Sequence, residues 1–167
     1  AVRAAALLAG RETVRDRRHA RFLISALQAA VFNEVLARRP LPIDAVEAGD
    51  VAVVQASGGL FVVEDLAREA PRAAAFEISA TGPIFGTRAL EPAGAPAQRE
   101  REALVACGLD PDVTPVPPRG VRLRGARRPL RVPVSDASSD FDGAVLRLRF
   151  ALPAGSYATV LIEELLR

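Results

Sequence analysis

Apolar and polar positions recur along this chain with two periods, and the switches between them mark out its elements. From Val2 to Ala9 apolar residues run together and Gly10 follows, the pattern of a short helix closed by a C′ glycine. A longer helical pattern starts after Thr13, a candidate N-cap, and runs to about Arg38, where Pro40 stops it. Ile24, Leu27, Val31 and Val35 form one stripe of it, and Leu23 and Ala30 a second. Arg21, Ser25, Gln28 and Phe32 share one narrow face at i, i+4, i+7 and i+11. A helix this apolar is expected to be packed on most sides.

Beyond it the period shortens. Val51–Val54 and Leu60–Val63 flank Gly58-Gly59 and predict a hairpin within Asp50–Asp65. Leu66–Ala73 predicts a short helix interrupted by Pro71, and Phe76–Ala80 a strand leading into a Gly82-Pro83 turn. Gly94–Pro96 reads as a loop, and Ala97–Cys107 as a polar-faced helix stopped by Gly108. The proline-rich run Leu109–Gly120 reads as a loop or linker, and Leu130–Val134 as a strand. The polar stretch Ser135–Gly143 is the expected connection between two structural units. After it, Leu146, Leu148 and Phe150 alternate with Arg147 and Arg149, the period of a half-buried strand. Pro153, Ala154 and Gly155 end that strand, Ser156 offers an N-cap, and Tyr157 falls in the first turn of a short apolar helix. The fold class this order predicts is α+β, with no internal repeat.

Charge sharpens the picture. At 167 residues the chain can build one good core or two small ones, filled by Ala, Val and Leu because aromatics are only 5%. The 22 Lys+Arg residues are all arginine. Schiff-base chemistry and a Walker-type phosphate loop both need lysine and are excluded from this chain. A GC-rich genome accounts for such a bias, but guanidinium groups also bind phosphates bidentately and stack on bases. Arg119, Arg122, Arg124, Arg127, Arg128 and Arg131 crowd one region with no acid among them, which points to RNA phosphates unless acids from elsewhere in the fold pair with them. Arg11, Arg15, Arg17, Arg18 and Arg21 form a second cluster, offset by Glu12 and Asp16. Arg21, Ser25, Gln28 and Asn33 are expected chiefly as structural hydrogen-bonding groups, with RNA contact the other reading.

One histidine, His19, and one cysteine, Cys107, leave no expected metal site, no Ser-His-Asp triad and no internal disulfide. The aspartates at 110, 112, 136, 140 and 142 read as turn formers. No apolar run is expected to span a bilayer and nothing reads as a signal peptide, so the expected compartment is the reducing cytoplasm.

Five segments together resemble one family. They are Arg21-Phe-Leu-Ile-Ser-Ala-Leu-Gln-Ala-Ala-Val-Phe-Asn33, Gly49-Asp50, Thr81-Gly-Pro-Ile-Phe-Gly86, Gly125-Ala-Arg-Arg-Pro-Leu-Arg-Val-Pro133, and the closing strand and helix around Tyr157. In that order they resemble the TruD family of tRNA pseudouridine synthases. The resemblance implies a catalytic α+β domain, with a mixed or antiparallel sheet of pseudouridine-synthase type, carrying a large α+β insertion. Residues 1–13 would end the N-terminal catalytic portion, 14–137 would be the insertion, and 138–167 would return to the catalytic domain as its last strand and helix. It implies isomerisation of uridine 13 of tRNA to pseudouridine, with no cofactor and no metal, by a cytoplasmic, monomeric enzyme whose partner is tRNA. In the family an aromatic at the position of Tyr157 contacts the target uridine. The nucleophilic aspartate of the family lies in a Gly-x-Lys-Asp motif, which a chain without lysine cannot contain, and the Phe-Gly…Gln-Arg-Phe-Gly loop is also missing. The expectation is therefore the C-terminal part of a longer enzyme, holding no catalytic residue and inactive alone. The alternatives are a catalytically silent RNA-binding module and a truncated remnant.

Overall fold

The computed structural model describes residues 2–166. Five helices and six strands follow one another as α1 (Val2–Leu8), α2 (Arg17–Ala37), β1 (Val51–Val54), β2 (Leu60–Val62), α3 (Leu66–Ala74), β3 (Ile78–Ile84), α4 (Gly94–Ala106), β4 (Ala126–Pro129), β5 (Ser135–Phe141), β6 (Leu146–Ala151) and α5 (Ala158–Leu165). The chain divides into two compact units between Leu130 and Arg131. All strand pairs are antiparallel, so the α+β class holds.

The first unit carries a four-stranded sheet in the order β2-β1-β3-β4. Its β1–β2 hairpin closes where the period and the glycines predicted, with the Val54 N–H donating to Gly59 O at 2.9 Å. Two apolar clusters hold the unit. One joins Ala4, Ala5, Leu7 and Leu8 of α1 to Ile24, Leu27, Val31 and Val35 of α2 and to Ala103 of α4, and Phe85, Val121 and Leu123 complete it. The other lies at the sheet, where Ala52, Ile78 and Ala80 pack with Val46, Val63 and Ala73 of α3.

Several local expectations change in three dimensions. Asp16, not Thr13, caps α2, its carboxylate accepting the Arg18 N–H. α2 is also less enclosed than its composition implied. The Ile24–Leu27–Val31–Val35 stripe is buried, but Ala26 and Ala29 are exposed and Phe22 is 68% exposed. By length and composition α2 alone among the described residues is also apolar enough to cross a membrane, contrary to the expectation that no run is; its stripe is instead filled by α1 and α4. Pro71 lies inside α3 rather than interrupting it. Phe76 does not open a strand, since it takes a left-handed φ of 58° just after α3, where its N–H donates to Ala73 O. α4 begins at Gly94, three residues before the predicted start, because Pro96 is tolerated in a first helical turn.

Gly82-Pro83 is not a turn either. β3 continues through both residues to Ile84 and pairs with β4, Gly82 opposite Arg128 and Pro83 opposite Arg127. The Leu130 N–H donates to Ala80 O at 2.9 Å. Antiparallel alternation then turns the missing N–H of Pro83 away from β4, toward the side where β1 has ended. The predicted strand at Leu130–Val134 is accordingly displaced upstream into β4.

The second unit pairs β5 with β6, Asp140 opposite Arg147 and Phe141 opposite Leu146, with a register shift between Ser135 and Ser138. The polar stretch expected as a connection is thus itself a strand, because β6 supplies its ladder. Ser156 does not cap α5. Tyr157 occupies the N-cap position and makes no side-chain capping bond there.

Candidate nucleic-acid interface

The arginine-rich run from Arg119 to Arg131 does not behave as one patch. Val121 and Leu123 are buried and Arg122 and Arg124 between them are exposed, the alternation of an extended segment with one side on the core. That segment is held by a close crossing of two backbones. The Thr87 N–H donates to Leu123 O at 3.0 Å, and the Gly125 N–H returns a bond to Thr87 O at 2.9 Å. A Cβ on Gly86 would lie 2.5 Å from Gly125 N, and one on Gly125 would lie 2.7 Å from Gly86 O. Only glycine fits at either position.

Arg127 turns inward. Its side chain is 2% exposed, its Nη1 and Nη2 donate to the Glu100 carboxylate at 3.0 and 2.6 Å, and its Nε donates to Thr81 Oγ1 at 3.0 Å. The acid absent from the local sequence comes from α4. Burial pushes the Glu100 carboxyl above its ordinary range, and Arg127 pulls it back only in part. Arg128 lies over the Phe32 ring, 5.1 Å from its centroid, a cation–π contact that keeps it close to α2. Arg119 is exposed, and Arg131 is half-buried and belongs to the second unit.

The second arginine cluster meets the first. A cleft of about 840 Å³ is lined by Arg21, Ile24, Ser25 and Gln28 of α2 and by Gly120, Val121, Arg122 and Arg124. Gly120 has φ +80°, and a Cβ there would lie 3.2 Å from the Arg17 guanidinium, so Arg17 stands directly beside the cleft. The Gln28 Nε2 donates to Phe85 O at 2.8 Å, which ties α2 to the chain crossing Leu123–Gly125. Gln28 thus has the structural role expected of it, while Arg21 and Ser25 face the cleft.

The Gly49-Asp50 pair is architectural. Gly49 has φ +91°, and a Cβ on it would lie 2.1 Å from Ala93 O. Asp50 is buried and accepts from Arg39 Nη1 and Nη2 at 3.0 and 2.8 Å and from the Glu47 N–H at 2.9 Å. Arg99 joins this network through Glu47 at 2.8 Å. The sequence offered no local sign of it, because its members come from three segments: the chain just past α2, the loop before β1 and α4.

In the second unit Tyr157 is 65% exposed at the start of α5. Gly155 takes a φ of 88°, as a turn glycine does. Burial raises the Cys107 thiol, which disfavours its thiolate form. Among the described residues no three of His, Cys, Asp and Glu are grouped to hold a metal ion.

The frame is antiparallel α+β, and arginines from α2 and from the Gly120–Arg124 segment line its cleft. The family model for tRNA pseudouridine synthase D (TruD) matches residues 12–165, and the chain belongs to that family. It is 47% identical over 146 residues to tRNA pseudouridine synthase D of Geobacter metallireducens, which covers 86% of this chain and 35% of the relative. Against the Thermus thermophilus protein of the same name the identity is 43% over 149 residues, covering 88% and 40%. Against that of an Anaeromyxobacter strain it is 37% over 159 residues, covering 94% and 45%. The chain therefore matches 35–45% of the length of these relatives. A crystal structure from Methanosarcina mazei, assigned as tRNA pseudouridine synthase D, superposes with a TM-score of 0.70 at 21% identity, covering 89% of this chain and 38% of that one. That likeness is one of fold.

Proposed function

We propose that the protein carrying this chain isomerises uridine 13 of tRNA to pseudouridine. The family match across residues 12–165 carries this reading. An aspartate outside this chain would cleave the bond from base to sugar, the base would turn, and it would rejoin the ribose through carbon 5, with no cofactor. This chain alone is inactive, because it holds no lysine and so no Gly-x-Lys-Asp motif. Its parts are an insertion over residues 14–137 and a returning strand and helix over 138–167.

Two roles fall to residues present here. Tyr157, well exposed at the start of α5, offers an aromatic face to the flipped uridine. Of the Arg119–Arg131 run, the exposed Arg119, Arg122 and Arg124 contact tRNA phosphates, while Arg127 is taken up by Glu100. The protein acts as a cytoplasmic monomer. Pseudouridine mapping at position 13 of tRNA, from cells with and without the gene, tests the reading; modification that persists after deletion would overturn it. The exposed arginines also favour a second reading, a catalytically silent RNA-binding module. Under that reading the full-length protein binds tRNA and leaves uridine 13 unmodified.

A further inference from the structure

We infer that the cleft between α2 and the Gly120–Arg124 segment seats the phosphodiester backbone of RNA, with Arg21, Arg122 and Arg124 as the phosphate ligands, Ser25 as a neutral donor and Arg17 beside them. The inference rests on the tRNA reading for the identity of the polyanion, and it extends the interface to α2.

Three observations carry it. The first is the distribution of counter-charge. Many arginines elsewhere in the first unit are paired: Arg38 with Glu34, Arg39 with Asp50, Arg72 with Glu69, Arg99 with Glu47, Arg101 with Asp112 and Arg127 with Glu100. Arg11, Arg15, Arg18, Arg88 and Arg119 make no ion pair among the described residues but line no cleft with one another. Arg17, Arg21, Arg122 and Arg124 make no ion pair among the described residues, and no acid lines the cleft. Asp16, the nearest acid in sequence, directs its carboxylate to the Arg18 N–H, and Glu12 is paired with Arg3. Cations gathered without counter-ions around a concave surface focus a positive potential that attracts a polyanion.

The second is preorganisation. The walls of the cleft are tied together, α2 to Phe85 through Gln28, and the next residues, Gly86 and Thr87, to Leu123 and Gly125 by the backbone crossing. Arg122 and Arg124 stand on the outer side of that segment while Val121 and Leu123 anchor its inner side. The guanidinium groups are thus presented by a fixed frame, which reduces the ordering cost of binding.

The third is the lining itself. Only Ile24 and Val121 are apolar, whereas sites for small organic ligands are predominantly apolar. Arginine forks bind phosphate oxygens bidentately without reading base identity. The seat therefore positions RNA and does not select sequence.

The test uses the full-length protein and two probes, an unmodified tRNA and a single-stranded polyuridine. Binding is measured over a range of salt concentrations. Reversal of both arginines, Arg122→Glu with Arg124→Glu, is expected to weaken binding of both RNAs at least about tenfold and to lower the slope of log K against log salt by roughly 1.4–1.8, at 0.7–0.9 per lost phosphate contact. Arg21→Glu is expected to act in the same direction. Arg101→Glu, an exposed charge paired outside the cleft, is the matched control and is expected to change little. If the glutamate variants fail to fold, Arg122→Gln with Arg124→Gln is expected to show the same change in slope. Unchanged affinity and slope in a folded double variant, with the wild type still binding RNA, would overturn the seat and leave the tRNA reading standing. Loss of RNA binding in the variants, with no pseudouridine formed by the wild type, would support the seat and remove the modification reading.

Discussion

Single residues in the first unit carry unusually large consequences because several arginines are buried with dedicated partners. The Arg39 side chain is 4% exposed and that of Asp50 is 3% exposed. Asp50→Ala would leave a buried guanidinium without its carboxylate, and a buried pair broken from one side typically costs about 3–5 kcal/mol. A denaturant titration is expected to show a loss of that size; a loss below about 1 kcal/mol would mean that water or Glu47 replaces Asp50. Gly49→Ala is expected to be at least as damaging, since the new Cβ would meet the Ala93 carbonyl in a backbone conformation that L residues avoid. Arg127→Leu has a pH signature. With its partner gone, burial and the Asp50 charge are opposed only by the weaker pull of Arg99, and the folded carboxyl rises further above its ordinary value of 4.5. A raised carboxyl favours the folded state fully below its unfolded pKa and loses that advantage as pH climbs through the folded one. The variant is therefore expected to lose more stability relative to wild type at pH 8 than at pH 5. A deficit independent of pH would show that Glu100 is solvated when Arg127 is absent.

At the scale of elements, the arginine-rich run shows how neighbours in sequence acquire different roles. In β4, Arg127 pairs with Pro83 and reaches Thr81 and Glu100, while the adjacent Arg128 pairs with Gly82 and lies over Phe32. Strand alternation sends neighbours to opposite faces, so one β4 arginine joins an ion pair and the next packs on an aromatic ring. α5 presents the opposite case, an element whose key side chain is largely exposed. Tyr157→Ala removes a largely exposed ring and is expected to leave the melting temperature nearly unchanged. If the ring stacks on the target uridine, at about 1–3 kcal/mol, kcat/KM for tRNA is expected to fall roughly 5- to 150-fold. Wild-type turnover by the alanine variant would remove Tyr157 from the uridine site.

For the whole molecule, the two units differ in how they are held. The first has two buried clusters; in the second no described residue is buried, and Phe141, Leu146, Val160 and Leu165 are each more than half exposed. A two-stranded ribbon is marginal alone in water. In the isolated chain, amides of β5 and β6 are expected to exchange with deuterium far faster than those of β1 and β3, and equal protection would show that the hairpin is stable without further strands. Much of the architecture was readable beforehand. The stripe of α2, the Gly58-Gly59 hairpin, the glycine stops at Gly10 and Gly108, and the alternation of β6 are local patterns whose signal lies within a few residues. The ordered motifs made the family legible too. Tertiary structure decided the rest: that β3 runs through Gly82-Pro83, that Ser135–Phe141 is a strand, that Asp50 meets Arg39 and Glu100 meets Arg127, and that Arg21 and Arg122 share a cleft. Each of these depends on a partner distant in sequence, which supplies the ladder, the counter-charge or the second wall, and no periodicity within a segment encodes such a partner.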